Sequence, residues 1–393
     1  MEMYISKKVR ELAGSKVSEL MMKAAEEGWN DVIGMAGGEP LFNPPANSLQ
    51  DMKQSFVSGV NRYPSFGGNK ELKSLILNKF LQENIDIEQN QIYVVPGGAS
   101  AIYNTLLTVL DNGDEILIQD PSWEHYPNIV KLAGGVPVQF EMTKMGSHYA
   151  FDWDDIISKI NQNTKAILIN SPLNPCGSVI SEKEINTLIE ITQNKNLWLI
   201  IDYEYEDYIY NGRNILLDGK YSNVICLHSF SKGFALTGIR LAYVVAENKF
   251  IEELHKSALY SFMYPTNISE CIASNVLKGD YVEYLHKSND FMKKKTKYLH
   301  KRLLEIPLLS CDLPEGGLYL FVSVKQLGIS GIEFCKRLLV NRHLIAVPGE
   351  GSGKNGENMI RIFVGLDQEV LDEAVNRLKL EVKCIEGEKV EAF

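Results

Sequence analysis

One lysine of this 393-residue chain, Lys232, lies in a segment suited to covalent chemistry. The apolar run 224–228 before it is typical of a buried strand of a parallel sheet, and a second apolar run, 241–245, follows it. An accessible amine in a loop of small residues between two strands can form a Schiff base with an aldehyde. Taken alone, a lysine in a loop is more often simply solvated, so the interpretation depends on what the other strand ends carry.

The elements that must position Lys232 are predicted from an alternation of apolar and amphipathic segments. Because such an alternation is typical of βαβ crossovers, the sequence predicts an α/β fold whose large domain has a mostly parallel seven-stranded sheet flanked by helices. The predicted strands are 92–95, 115–118, 136–140, 166–170, 198–202, 224–228 and 241–245. In such a sheet ligands bind at the carboxyl ends of the strands, so the residues that follow each strand are the candidates for a site.

The segment after the first of these strands predicts a phosphate site. Pro96-Gly97-Gly98-Ala99-Ser100 opens a helix, whose free N–H groups and dipole attract an anion, and the Ser100 hydroxyl adds a donor. The segment lacks the third glycine of the dinucleotide-binding fingerprint and the Gly-Lys-Ser/Thr of a P-loop. The predicted phosphate site therefore belongs to neither of these two classes.

Three further strand ends carry groups that would surround a ring. Trp123 offers a flat aromatic surface, Asn174 offers an amide in a rigid turn, and Asp202 is a carboxylate that needs a cationic partner if buried. With the phosphate segment and Lys232, these groups describe a phosphorylated, ring-shaped, aldehyde-bearing cofactor. Pyridoxal 5′-phosphate matches this description, because it requires a lysine Schiff base and an aspartate partner for its pyridinium nitrogen.

Composition and charge favour small-molecule partners. The net charge is −10 and the densest basic run, 293–295, lies in a helical stretch, so no nucleic-acid partner is expected. Neither a membrane-spanning apolar run nor a signal segment is recognised, so we expect no membrane partner and a cytoplasmic location. The six cysteines have no paired spacing, so neither disulfides nor a metal site is expected.

The length of the chain predicts two domains, because 393 residues exceed the size at which a single core keeps growing. The predicted division places residues 1–44 in an N-terminal arm and part of a small domain. Residues 45–285 form the large cofactor-binding domain, and residues 286–393 form the C-terminal small domain. The small domain is therefore predicted to be α+β and to draw on both ends of the sequence.

Several motifs occur in one order along nearly the whole chain. The most specific is Ser229-x-Ser231-Lys232 followed by Gly238-x-Arg240, and the next are Ser171-Pro172-x-Asn174-Pro175-x-Gly177 and Asp202-x-x-Tyr205. Gly37-Gly38-Glu39-Pro40 precedes them and Arg361 follows them. This order resembles that of the fold-type I pyridoxal-phosphate aminotransferases, the class I/II group that includes aspartate and aromatic aminotransferases. The resemblance implies transfer of an amino group between an L-amino acid and a 2-oxo acid.

The resemblance implies catalytic roles for Lys232, Asp202 and Tyr205. Lys232 would hold the cofactor as a Schiff base and then act as the base at the substrate Cα. Asp202 would keep the ring nitrogen protonated, which makes the ring an electron sink. Asn174 and Tyr205 would hydrogen-bond the O3′ oxygen of the ring, and Trp123 would stack on its face.

The resemblance also implies a carboxylate site, a phosphate site and a dimer. Arg361 is similar to the family's arginine for the substrate α-carboxylate, near which Gly38, Trp123 and Asn174 would lie. Tyr63 would reach the phosphate from the other subunit of a homodimer with shared active sites. The other phosphate contacts that it implies are Gly98, Ala99, Ser100, Ser229, Ser231 and Arg240.

Departures from the family pattern leave the substrate open. Ala99 stands where some aspartate-using relatives have a lysine, and Leu41 stands where an aspartate is common. The same lysine–aspartate–arginine apparatus serves C–S β-lyases, decarboxylases and cyclising enzymes, which are the alternative to transamination. A non-catalytic regulatory protein on this fold is a third hypothesis.

The carboxylates of Glu204, Glu206 and Asp207 are interpreted as solvated.

Overall fold

The computed structural model describes residues 4–146, 148–212, 215–217 and 221–391. Its strands are β1 Ile33–Gly34, β2 Ile92–Val95, β3 Glu115–Asp120, β4 Val136–Met145, β5 His148–Phe151, β6 Thr164–Asn170, β7 Trp198–Asp202, β8 Val224–Ser229, β9 Ala242–Ala246, β10 Ser310–Cys311, β11 Tyr319–Ser323, β12 Leu344–Ile345, β13 Val347–Pro348 and β14 Met359–Phe363. Its α-helices are α1 Lys7–Arg10, α2 Lys16–Glu26, α3 Met52–Ser55, α4 Lys70–Gln82, α5 Gly98–Val109, α6 Tyr126–Ala133, α7 Trp153–Lys159, α8 Glu182–Lys195, α9 Asn248–Ser261, α10 Asn267–Lys278, α11 Tyr281–Leu303, α12 Gly331–Arg342 and α13 Gln368–Glu391.

A large sheet has the strand order β2-β9-β8-β7-β6-β3-β4-β5. Strands β8, β7, β6, β3 and β4 run parallel to one another, and antiparallel pairings add β9 and β2 at one edge and β5 at the other. This arrangement confirms the predicted α/β class and the mostly parallel sheet flanked by helices. Each of the seven predicted strands is present.

The described residues add an eighth strand, β5, to the seven predicted. It forms a hairpin with the extended end of β4, in which Met142 lies opposite Phe151 and Met145 lies opposite His148. Tyr149 and Phe151 are buried. A four-residue segment with two such positions gives too short an alternation to be separated from a loop in the sequence, so seven strands were expected where eight occur.

The central strands are apolar along their length because both faces of the sheet are covered. Successive residues of β7 show this, since side chains alternate between the two faces of a strand. Leu199 and Ile201 pack in one hydrophobic core, and Ile200, between them, packs in another core on the opposite face. Burial on both faces explains why these strands read as continuous apolar runs rather than as alternating ones.

The strand register brings the predicted ligand-binding loops to one edge of the large sheet. Asn170 at the end of β6 lies level with Asp202 at the end of β7. Ser229 at the end of β8 lies level with Ala242 of β9, which in turn lies level with Val95 at the end of β2. The loops that follow β2, β6, β7 and β8 therefore converge.

A second, antiparallel sheet has the order β10-β11-β14-β13, and β1 pairs in parallel with β12 beside it. Residues of α2, α11, α12 and α13 pack with these strands in a separate hydrophobic core. Arg361 lies at the centre of β14, opposite Phe321 of β11 and Val347 of β13. This sheet therefore supplies the one predicted site residue that comes from the C-terminal part of the chain.

Candidate active site

A cavity of about 280 Å³ opens at the carboxyl edge of the large sheet, where the converging loops meet the second sheet. Its lining includes eleven of the fourteen predicted site residues. These are Gly38, Gly98, Ala99, Trp123, Asn174, Asp202, Tyr205, Ser231, Lys232, Arg240 and Arg361. Residues that are far apart in the sequence thus form one surface.

Three predicted site residues do not line the cavity. Ser100 lies in the first turn of α5, where its hydroxyl accepts a hydrogen bond from Asn104 Nδ2 at 3.3 Å. Ser229 ends β8, and its hydroxyl accepts the Ser231 N–H at 3.0 Å. Tyr63 is 83% exposed and stacks on Tyr264, with ring centroids 5.2 Å apart. Their membership of the site stays a prediction.

Lys232 is held with its amine in the cavity by contacts at both ends of the residue. The amine donates to the Gly38 carbonyl at 2.9 Å, and the Tyr208 hydroxyl donates to the Lys232 carbonyl at 2.9 Å. The side chain is half-buried. Lys232 is therefore held at the cavity wall and is not an ordinary solvated loop lysine.

Asp202 is a buried carboxylate whose hydrogen bonds come from neutral donors. The Tyr126 hydroxyl donates to Oδ2 at 2.6 Å, and the Glu204 backbone N–H donates to Oδ1 at 2.8 Å. Burial raises the pKa of Asp202, whereas these two hydrogen bonds and the charge of His228 lower it. Within the described residues no lysine or arginine forms an ion pair with it. The carboxylate is therefore arranged to receive a cationic group from a ligand.

A hydrogen-bonded chain joins the large sheet to β14. Asn174 Nδ2 donates to the Tyr205 hydroxyl at 3.1 Å, and the Tyr205 and Tyr319 hydroxyls lie 3.1 Å apart. The Arg361 guanidinium donates to Asn174 Oδ1 at 3.0 Å and to the Ala36 carbonyl at 3.1 Å. Among the described residues its buried Nε has no acceptor. Because Arg binds carboxylates through several donors at once, a guanidinium at the wall of this cavity suits an anionic ligand.

The guanidinium of Arg361 also lies over an aromatic ring, with its central carbon 4.2 Å from the centroid of the Tyr319 ring. Such a cation–π contact fixes the plane of the guanidinium. The plane in turn fixes the direction in which a bound carboxylate must approach.

The start of α5 and Arg240 form a cradle for an anion. A Cβ added at Gly97 would lie 2.5 Å from an Arg240 terminal nitrogen, and the φ of Gly97, +91°, is one that residues with side chains rarely adopt. Arg240 itself has a φ of 53°, a left-handed conformation that costs about 1–2 kcal/mol outside glycine. The first N–H groups of α5 have no intrahelical acceptor. A phosphate held here would contact both the helix start and the guanidinium.

Tyr126 and Tyr319 are site residues that the sequence does not reveal. Tyr126 lies at the start of α6 and Tyr319 at the start of β11, positions where a tyrosine usually packs in a core. The sequence signal is their place in the chain. Tyr126 lies three residues after Trp123, and Tyr319 lies two residues after Gly317. Tertiary packing, rather than a sequence motif, brings these two hydroxyls to the site.

The interpretation of the carboxylates beside Tyr205 as solvated is wrong for Glu204, Glu206 and Asp207, the last of which is half-buried with a pKa that burial raises to about 7. Glu204 is half-buried and lines the cavity. Glu206 is buried, with Lys79 Nζ at 2.5 Å and His228 Nδ1 at 2.7 Å. Burial raises the pKa of Glu206, but the charges of Lys79 and His228 outweigh this effect and hold it at about 2. This buried network underlies the end of β8.

These residues fit pyridoxal 5′-phosphate. The helix start with Arg240 suits its phosphate, Lys232 suits its aldehyde, and Asp202 suits its protonated ring nitrogen. Asn174 and Tyr205 provide hydrogen-bonding groups on the intervening wall. Each chemical feature of this cofactor therefore has a counterpart in the cavity.

Comparisons with known proteins identify the same family. The family described as aminotransferase class I and II matches residues 30–378. An aspartate aminotransferase of Bacillus subtilis is 33% identical over 390 residues, covering 96% of this chain and 98% of that protein. An aspartate aminotransferase of Pyrococcus horikoshii is 30% identical over 393 residues, covering 98% of each. The solved structure of an aromatic aminotransferase from Pyrococcus horikoshii is similar with a TM-score of 0.85 at 29% identity, covering 93% of this chain and 98% of that chain.

The extent of these matches confirms the predicted family, fold and cofactor. They span both sheets and the segment that carries Lys232 and Arg361. Neither the lyase, decarboxylase and cyclising alternatives nor a regulatory protein is favoured by relatives that are named as aminotransferases. The chain therefore belongs to the class I and II aminotransferases, which are pyridoxal-phosphate-dependent transaminases.

Proposed function

We propose that Lys232, Asp202 and Arg361 carry the transamination in this protein, between an L-amino acid and a 2-oxo acid. The observation that supports this proposal is their convergence, because an amine, a buried carboxylate and an arginine with an unused donor border one cavity. The bound cofactor's protonated ring withdraws electrons from the substrate Cα and so weakens its Cα–H bond. The protein must then hold that ring, orient the substrate and move one proton.

Lys232 moves the proton. In the resting enzyme the Lys232 amine would hold the cofactor, and a bound substrate amine would leave it free. The free amine then removes the proton from the substrate Cα as a general base. The Gly38 carbonyl accepts a hydrogen bond from the Lys232 amine, and this contact would keep the free amine at the cavity wall.

Asp202 would keep the ring nitrogen protonated, because a cation beside the Asp202 carboxylate offsets the cost of burying the charge of that carboxylate. Asn174 and Tyr205 would hydrogen-bond the ring oxygen O3′, and Trp123 would pack on the ring face. The Tyr126 hydroxyl orients the Asp202 carboxylate. These contacts fix the ring relative to the base.

Arg361 binds the substrate α-carboxylate, near Gly38, Trp123 and Asn174. Its flat, charged fork suits a carboxylate better than a lysine would. The proposed phosphate contacts are Gly98, Ala99, Ser100, Ser229, Ser231 and Arg240. Because the relatives include enzymes named for aspartate and for aromatic amino acids, both side-chain classes belong in a substrate test.

We further propose a homodimer with shared active sites. Tyr63, Phe66 and Tyr264 form an aromatic stack, and Tyr63 and Tyr260 are 83% and 88% exposed. Exposed aromatic clusters of this kind mark interaction surfaces. Tyr63 of one subunit would then reach the phosphate of its partner's cofactor.

The proposed domain division is 1–44 with 286–393 for the small domain and 45–285 for the large one. The separate hydrophobic cores of the two sheets support it.

A cytoplasmic location is also proposed, since no disulfide joins the cysteines of the described residues. Over the same residues, no helix is long and apolar enough to cross a membrane.

Treating the enzyme with an amino-acid donor in the absence of an acceptor tests the proposed reaction. We expect the bound cofactor to convert to its pyridoxamine form while one equivalent of the matching oxo acid is released, because the amino group has then been transferred. The measurements are cofactor absorbance and oxo-acid analysis over a panel that includes aspartate and aromatic amino acids. Pyruvate and ammonia from a β-substituted alanine, without pyridoxamine, would contradict transamination.

The role of Arg361 is checked in the same assay. Arg361→Lys should raise the donor concentration needed for half-maximal conversion by about 10²-fold, because one fork of charge-assisted hydrogen bonds is lost. Arg337→Lys is the matched control, since Arg337 of α12 binds Glu381 and Glu388 of α13 and should leave this concentration unchanged. An equal effect in both variants would contradict the proposed binding of the substrate carboxylate by Arg361.

Mixing two defective variants tests the shared site. Tyr63→Ala should weaken cofactor binding about tenfold, the effect of losing one charge-assisted hydrogen bond, and Lys232→Ala should prevent attachment. When equal amounts are mixed and reassociated, each hybrid dimer has one site with both native residues. About a quarter of all sites should then regain native cofactor affinity, as expected for a two-fold symmetric pair. A monomer by light scattering, or hybrids without recovery, would exclude the proposal.

A further inference from the structure

The side chain of Glu204 lies in the cofactor cavity at the place proposed for the phosphate. Glu204 lines the cavity together with Gly98, Lys232 and Arg240. A Cβ added at Gly98 would lie 2.9 Å from Glu204 Oε2, so the carboxyl group rests against the first residue of α5. The helix start that would attract a phosphate therefore already faces an acidic group of the protein itself.

The charged groups that act on Glu204 are Asp202, Lys232 and Arg240. Burial is the main influence and, with the charge of Asp202, it raises the pKa of Glu204. The charges of Lys232 and Arg240 and the Ser229 hydroxyl act in the opposite direction. The result is a pKa of about 7. Glu204 thus changes its charge near neutral pH before any cofactor binds.

The remaining titratable neighbours of Glu204 are phenols. The pKa values of Tyr126 and Tyr205 are raised by burial, and both tyrosines therefore stay neutral across the range in which Glu204 titrates. They contribute hydrogen-bonding groups but no charge. Burial also raises the pKa of Asp202, the other carboxyl group of this wall, so a variant of Glu204 is needed to assign a change in charge here to Glu204.

A phosphate and an ionised carboxylate compete for the same donors and repel each other at short range. We propose that the Glu204 carboxyl shares the phosphate cradle and that binding of the cofactor's phosphate is coupled to protonation of this carboxyl. The inference rests on the proposed phosphate site at α5 and Arg240. On binding, a proton moves from solvent to the carboxylate oxygen, and the neutral acid can then donate to a phosphate oxygen instead of repelling it.

The direction of the pH dependence follows from this coupling. Below pH 7 Glu204 is already protonated, so the coupling does not alter cofactor affinity there. Above pH 7 each binding event must take up a proton, so the dissociation constant should rise by up to about tenfold per pH unit. The rise ends at the pKa that Glu204 has in the complex, which the phosphate charge raises further.

Cofactor affinity of the apoenzyme between pH 6 and pH 9 tests the coupling, with Glu204→Gln as the variant that mimics the protonated acid. At pH 8.5 the variant should bind pyridoxal 5′-phosphate up to about 30-fold more tightly than the native protein, and at pH 6 equally well. Inorganic phosphate should show the same difference by calorimetry. Pyridoxal, which lacks the phosphate, should show none. Glu190→Gln, an equal change of net charge at an exposed site on α8, should behave as the native protein.

The outcomes separate this inference from the proposed function. One outcome is that the cofactor attaches through Lys232 and that its affinity varies with pH in the same way in the native protein and in Glu204→Gln. This outcome would overturn the coupling and leave the proposed function intact. Absence of attachment through Lys232 would instead overturn the proposed function. If Glu204→Gln does not fold, calorimetry of the native protein with inorganic phosphate in buffers of different ionisation enthalpy decides. At pH 8 we expect the protein–phosphate complex to take up close to one proton per phosphate bound, after the protonation of free phosphate itself has been subtracted. The absence of such uptake would refute the coupling.

Discussion

Replacing Lys232 by alanine should abolish the visible absorbance of the lysine-bound cofactor and lower turnover by at least about 10⁴-fold. Two functions are lost together, because the same amine attaches the cofactor and moves the substrate proton. The cavity should otherwise stay intact, since the Lys232 carbonyl, not its side chain, accepts the Tyr208 hydroxyl. Absorbance after adding pyridoxal 5′-phosphate and single-turnover kinetics are the measurements.

A control variant and a rescue experiment accompany Lys232→Ala. Lys183→Ala, at an exposed position in α8, should retain native absorbance and turnover. Added methylamine should restore a small part of the Lys232→Ala activity, because a free amine can occupy the space and act as a base. Turnover by Lys232→Ala within tenfold of native would disprove the proposed role.

Replacing Asp202 by asparagine should lower turnover by about 10³-fold, or about 4 kcal/mol of transition-state stabilisation. The amide has nearly the same shape, its oxygen can accept the Glu204 N–H and its NH2 can donate to the Tyr126 oxygen, but it carries no charge to hold a proton on the ring nitrogen. The bound ring would then withdraw electrons less strongly. The measurement is the rate constant of the half-reaction at saturating cofactor, so that weaker binding does not enter the result.

Tyr126→Phe is the matched variant for Asp202. It removes the 2.6 Å hydrogen bond to the carboxylate but leaves the charge, so a loss of about tenfold is expected, the cost of a single hydrogen bond. Equal losses in the two variants would mean that orientation, not charge, is what Asp202 supplies. A native rate in Asp202→Asn would remove it from the mechanism.

The sequence predicted the parts of the site that depend on strand ends. Asp202, Asn174 and Lys232 follow long apolar runs, and parallel strands bring their carboxyl ends to one edge by geometry alone. Arg361 is different, because its strand belongs to another sheet and no periodicity relates the two sheets. Its assignment came from family resemblance, and the structure brings its guanidinium to the wall of the same cavity.

The misjudged residues lie where side-chain direction decides the environment. Glu204 and Glu206 occupy a turn, and nothing in a run of alternating acids and tyrosines tells which side chain faces the cavity, the core or the solvent. Their burial depends on Lys79, His228 and the start of α5, all distant in the sequence. Local composition favours solvation for such residues, and only the tertiary neighbours reverse it.

The pairing of β1 with β12 has a consequence for synthesis of the chain. Ile33 finds its partner Leu344 only when more than three hundred further residues have been made, roughly 15–60 s later at ribosomal rates. The large sheet, by contrast, has all its strands once Ala246 has emerged. A nascent chain can therefore form the phosphate cradle well before β14 delivers Arg361. The order of translation separates the time at which this protein can first hold its cofactor from the time at which it can first recognise a substrate.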